Sequence, residues 1–191
     1  MSTALVLASV PVPQANAAIY TAEYTRAVAY WYLPTDAESV YRMYRVEVVQ
    51  VRDLQTGEVS ARASVVTDRC TERWIDPQQM ILVCDDGRRE WRTRAAELVL
   101  APDLASGEAQ VRVGGRTHIV RFEGPERPEE GVFTIDGACS PADRKVVAGR
   151  FSNMERAHGR VLGKKLRGPY HPELDHSWVQ RGHGTWCDES G

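Results

Sequence analysis

Apolar and polar positions alternate with a period of two over most of this chain, and the alternation breaks at turn residues roughly every ten positions, the pattern of antiparallel strands. Thr25 to Leu33 (TRAVAYWYL) predicts a first strand ended by Pro34-Thr35-Asp36. Val40 to Arg52 predicts a long second strand whose apolar phase shifts between Val48 and Val49, so a bulge there is expected to keep both halves facing the core. Residues 53–58 form a turn, and Val59 to Asp68 returns with Val59, Ala61, Ala63 and Val65 on one face.

Two hairpins follow from turn chemistry. Met80 to Cys84 meets Arg89 to Arg94 across Asp86-Gly87, which sets Cys84 opposite Arg89 and Leu82 opposite Trp91, with Cys84 on the core side. Glu108 to Val113 meets Arg116 to Glu123 across Gly114-Gly115, pairing Val113 with Arg116, Val111 with His118 and Ala109 with Val120. His118 thereby falls among apolar neighbours and reads as a core histidine with its hydrogen bonds met rather than a ligand.

Residues 125–131 (PERPEEG) read as a polar loop and Gly131 to Asp136 as a strand. Ser140-Pro141-Ala142-Asp143 has the form of a helix start, but Gly149, Gly159 and Gly163 oppose a long helix beyond it. The expectation is a short helical turn near Ser140, then strands Val146 to Phe151 and Ala157 to Lys165 joined by residues 152–155. Pro169, Pro172, Gly182 and Gly184 make the C-terminal segment a loop, with Trp178 and Trp186 packed against the sheet. The fold class is all-β, an antiparallel sandwich or barrel of about eight to ten strands.

The segment Arg156-Ala157-His158-Gly159-Arg160-Val161, placed after a strand and a turn, resembles a late strand in uncharacterised secreted all-β proteins of high-GC Gram-positive bacteria. The resemblance covers that segment and the general order of strands. It implies an all-β fold and assigns no chemistry.

The N-terminus bears on compartment. Ala4 to Val12 is an apolar run of leader length, and Ala15-Asn16-Ala17 supplies small residues at both cleavage-determining positions, so residues 1–17 are expected to be a signal peptide and 18–191 a single secreted domain. The run is too short to span a bilayer, as is every later apolar stretch. In an oxidising compartment the four cysteines are expected to pair, Cys70 with Cys84 and Cys139 with Cys187.

Composition narrows the function classes. Apolar content of 42% is ordinary for a folded domain, and a formal charge of -2 does not steer the whole molecule toward nucleic acid or a membrane. There is no nucleophile elbow, zinc-protease helix, phosphate-binding loop or dinucleotide fingerprint, and no cofactor is implied.

Three groups of residues are chemically suggestive. His171, His176 and His183 are competent metal ligands that a small secreted metal-binding protein or hydrolase would use, although their spacing on a loop does not prepare a site. Tyr30, Trp31 and Tyr32 put aromatics on both sides of one strand, and one side is able to stack on a sugar, as in a carbohydrate-binding module. From residue 143 to 167 basic residues outnumber acidic ones, and Arg156, Arg160, Lys164, Lys165 and Arg167 are candidates for holding an anionic cell-envelope polymer or another envelope protein. The sequence therefore reads as a secreted or cell-envelope binding protein, with catalysis the weaker alternative.

Overall fold

The computed structural model describes residues 19–76, 79–84, 87–125, 129–135, 145–171 and 174–187. These form twelve strands and no helix: β1 (Ile19–Pro34), β2 (Val40–Asp53), β3 (Val59–Asp76), β4 (Gln79–Cys84), β5 (Arg89–Thr93), β6 (Ala96–Leu100), β7 (Ser106–Val113), β8 (Arg116–Pro125), β9 (Glu129–Ile135), β10 (Lys145–Val161), β11 (Lys164–Arg167) and β12 (His176–Cys187). All pairings are antiparallel, in the order β4, β3, β2, β1, β12, β10, β8, β7, β6. The sheet is open, with no ladder joining its ends into a barrel. Residues 1–17, Cys139 and the Ser140 turn lie outside the described residues.

The sheet folds over so that β6, β7 and β8 lie across β1, β2 and β3. Between them sits one apolar core containing Ala29, Trp31, Val46, Val48, Val65, Leu98, Val111, Val120, Phe122 and Leu166. Polar groups also link the layers: the Gln50 side-chain oxygen accepts the Leu98 amide at 3.2 Å, and the Arg181 guanidinium donates to the Leu100 carbonyl at 2.9 Å.

β10 is the corner. Its first half pairs with β9 and β12, and from Met154 onward it pairs with β8 and then also β11. Residues 152–155 are thus not the expected turn. Ser152 and Met154 are both buried, and a strand that passes from one layer to the other must bury the side chains at its bend. The reversal comes at Leu162-Gly163, both at positive φ (48° and 81°), as in a two-residue hairpin turn of the primed kind.

Two other strand expectations change for related reasons. No bulge separates Val48 from Val49, because both faces of the sheet are covered there. Val48 enters the main core, while Val49 joins Ala22, Tyr24 and Val51 in a second apolar cluster on the outer face. β4 and β5 do not form a hairpin either; both pair with β3, whose eighteen residues offer an edge long enough for the two in series. Cys84 then lies opposite Cys70, bonded to it, in an outer cluster with Tyr32, Met43 and Val66, whereas Trp91 packs on the main core.

The Gly114-Gly115 hairpin has the expected register throughout, Val111 opposite His118 and Ala109 opposite Val120. His118 is buried, and its Nδ1 accepts the Leu162 amide at 3.2 Å, which leaves the proton on Nε2. Burial, the largest influence, pushes its pKa below the ordinary value of 6.5, while the Arg160 backbone works in the opposite direction. A depressed histidine contributes stability that is fully present above the unfolded-state value and lost as pH falls through the folded-state value. Urea unfolding at a series of pH values should therefore show the native protein losing stability below pH 6.5 more steeply than a His118→Phe variant; parallel curves would show that His118 carries no such linkage.

Candidate functional site

The basic segment that stood out in the sequence becomes the antiparallel strand pair β10–β11, with β8 on the other side of β10. On β10 and β11, the side chains of Ala157, Val161 and Leu166 enter the core, so Arg156, His158, Arg160, Lys165 and Arg167 face outward by alternation. Lys164, one position out of phase, lies instead at the mouth of a cleft between the layers.

The ladder brings these outward side chains into rows. Arg160 is directly opposite Lys165, and His158 is directly opposite Arg167 on one side and Arg121 of β8 on the other. Neighbouring strands stand about 5 Å apart and alternate residues along a strand about 7 Å apart, so these groups make a closely spaced cationic grid. A shallow groove of about 430 Å³ runs over it, floored by Ile119, Gly159 and Leu166. Gly159 is required for that floor: a Cβ there would sit 2.0 Å from the Ile119 carbonyl oxygen.

Acidic residues neutralise one margin only. Arg156 pairs with Glu123 at 2.8 Å, the same carboxylate approaches His158 at 3.7 Å, and Arg121 pairs with Glu108 at 2.8 Å. Among the described residues Arg160, Lys165 and Arg167 have no side-chain ion pair.

The other candidates are dispersed. Trp31 is 1% exposed and its indole N–H donates to the Ala157 carbonyl at 3.0 Å, so it ties β1 to β10 and offers no stacking face. Tyr32 is almost covered, and Tyr30 is half-buried between the His176 ring, stacked at 4.3 Å, and the Arg45 guanidinium at 5.9 Å. His171 meets Tyr41 edge-on at 5.5 Å. His183 lies farther along β12, where it faces Glu23 at 3.6 Å. No group of three or more metal-competent side chains converges among the described residues.

The C-terminal segment is not a peripheral loop. β12 is a central strand between β1 and β10, with Ser177, Val179 and Gln180 buried, and among the described residues of this segment 168–171, 174 and 175 lie outside the sheet. Gly182 marks a close approach rather than a break. Gly182 lies opposite Gly149, where a Cβ would come within 2.2 Å of the Arg181 carbonyl oxygen. Trp178 packs on Phe151, with ring centroids 5.6 Å apart, and beneath the Arg26 guanidinium. The side chains of Trp186 and Cys187 lie outside the described residues, as does Cys139.

Asp175, in the sequence only one of the metal-competent side chains of this segment, anchors the excursion that precedes β12. Its two carboxylate oxygens accept the amides of Tyr32 at 2.7 Å and Tyr170 at 2.6 Å, clamping the excursion to β1. Burial is the largest influence on this carboxyl and pushes its pKa up, against the pull of those two amides.

No known protein-family model and no curated protein matches this chain. No helix among the described residues is long and apolar enough to cross a membrane.

Proposed function

We propose that this chain is an exported binding protein of the cell envelope and that the cationic face of β8, β10 and β11 holds a linear anionic polymer. The observation that carries the reading is the register: Arg160 stands directly across from Lys165, neither of them in an ion pair, with Arg167 two residues beyond Lys165 on the same face. Like charges directly opposite one another destabilise a sheet. A polymer with repeated anionic groups removes that repulsion and gains a contact at each row, whereas a single small anion relieves only one.

Export is supported by the Cys70–Cys84 bond, which belongs to oxidising compartments, and by the leader-like composition of residues 1–17. The resemblance of residues 156–161 to late strands of secreted bacterial proteins points the same way. Binding is favoured over catalysis because Arg160, Lys165 and Arg167 are exposed and without an ion pair, so nothing desolvates or positions them for acid-base chemistry.

Titration with inorganic polyphosphate, followed by calorimetry at several salt concentrations, tests the proposal. Log affinity should fall linearly as log salt rises, because each neutralised charge releases a counterion. Arg160→Gln with Lys165→Gln should weaken binding by at least about tenfold. Arg156→Gln should cost less than about threefold, since Glu123 already neutralises Arg156. Salt-independent binding, or unchanged affinity in the double variant, would overturn the reading.

A further inference from the structure

At one end of the molecule the two layers part, and the core opens to water in a cleft of about 760 Å³, within the range of small-molecule sites. Its inner wall is the core itself. Tyr44 and Val113 belong to the buried cluster, and Leu33, Trp91 and Leu162 pack against it while remaining partly accessible. Its mouth is cationic. Arg42 and Arg89 come from one layer, Arg116 and Lys164 from the first positions of β8 and β11 in the other, and all four are exposed. Among the described residues no carboxylate lines the cleft, and none of these four cations has an ion pair or a side-chain hydrogen bond.

That composition is unusual for a water-filled groove in a chain where carboxylates slightly outnumber basic residues. Several arginines elsewhere are matched, Arg26 and Arg45 with Glu47, Arg88 and Arg92 with Glu90, Arg121 with Glu108, although Arg160 and Arg167 of the outer face are not. Four unmatched cations around a single apolar opening form the opposite arrangement. They favour a molecule whose negative head stays at the rim while its apolar part replaces water against Trp91 and Leu162.

We infer that this cleft is a second binding site, distinct from the outer basic face, and that it takes an amphipathic anion: one carboxylate or phosphate head on a single apolar chain. The two sites face different directions. Lys164 turns toward the cleft and Lys165 away from it, so adjacent residues of β11 serve separate ligands. Burial of an apolar chain supplies the affinity, at about 25 cal/mol for each Å² removed from water, and the rim selects for charge.

The test uses the full chain with dodecanoate, dodecyl phosphate, dodecanol and inorganic phosphate. Calorimetry should show saturable one-to-one binding of dodecanoate, dodecyl phosphate or both, with dodecanol and inorganic phosphate each at least about tenfold weaker. Comparison of the first two identifies which head the rim prefers. Trp91 fluorescence should change on binding, and a Trp91→Phe protein should lose that change while heat of binding remains. Arg42→Gln with Arg116→Gln removes one cation from each layer at exposed positions and should lower dodecanoate or dodecyl phosphate affinity by at least about tenfold, yet leave polyphosphate binding within about twofold. The inference is overturned if neither amphiphile saturates, if dodecanol binds as tightly as the anions, or if the double variant binds them like the native protein. Since polyphosphate binding is read in the same samples, failure of the cleft and failure of the outer face are separable results.

Discussion

Alanine at position 159 is expected to cost at least about 3 kcal/mol of folding stability, or to prevent recovery of folded protein altogether. Gly159 lies on β10 opposite Val120 of β8 and Leu166 of β11. A methyl group there would stand 2.0 Å from the Ile119 carbonyl oxygen and 3.0 Å from the Val120 Cα, atoms of backbone that cannot swing aside as a side chain can. Relief requires β8 to move away from β10, which breaks the ladder at the corner where the layers join. A Gly163→Ala variant is the contrast. It meets no atom within 4 Å but holds a left-handed φ of 81°, and should cost only about 1–2 kcal/mol. Urea unfolding of both variants decides the matter: a Gly159→Ala protein within about 1 kcal/mol of native would show that this approach is not a constraint.

Removal of the Trp31 side chain should be of similar size. Trp31 is among the largest fully buried side chains, and Trp31→Ala is expected to destabilise by about 4 kcal/mol through lost contacts and the cavity left behind. Trp31→Phe separates packing from hydrogen bonding. It keeps a ring but withdraws the indole donor from the Ala157 carbonyl, for an expected loss of about 1–2 kcal/mol. Both are read from urea midpoints at constant slope. Were Trp31 a stacking platform for a sugar, alanine would abolish ligand binding and leave stability almost untouched, the reverse of the outcome expected here.

The parts of the fold that could be read directly are those in which one face is buried and the turn is local. The β7–β8 hairpin is the clearest: Gly114-Gly115 sets the register, and alternation places His118 and Phe122 inside. The period-two pattern read in β1 and β2 corresponds to strands in the same places, extended by a few residues at their ends. Errors gathered where a second partner changed the meaning of a residue. Val48 and Val49 suggested a bulge because one buried face was assumed, yet a second cluster covers the other. Asp86-Gly87 suggested a hairpin, but the long edge of β3 accepts β4 and β5 in turn. Gly182 and Gly184 of β12 suggested a loop, although Gly182 lies where β12 closely approaches Gly149 of β10.

The candidate site divides along the same line. Arg160, Lys165 and Arg167 were visible as local positive charge, while Arg121 was not associated with them, since it lies more than thirty residues earlier and joins the row only through the β8–β10 ladder. The clamping role of Asp175 was not legible, because its amide partners Tyr32 and Tyr170 are brought to it by β1 and by the excursion itself. Likewise the cleft draws its cations from β2, β5, β8 and β11, and no two of them are close in sequence.

What the amino-acid order determined alone is the all-β character, most strand positions, the Cys70–Cys84 partnership and the excess of positive charge on the strands after residue 143. Those follow from periodicities and turn preferences that act over a few residues. Tertiary structure decided which face each strand hides, that the C-terminal segment runs through the centre of the sheet, and that four distant cations ring one apolar opening. Such outcomes depend on which strands become neighbours, and that choice is made by burial of the whole core, with contacts that span most of the chain.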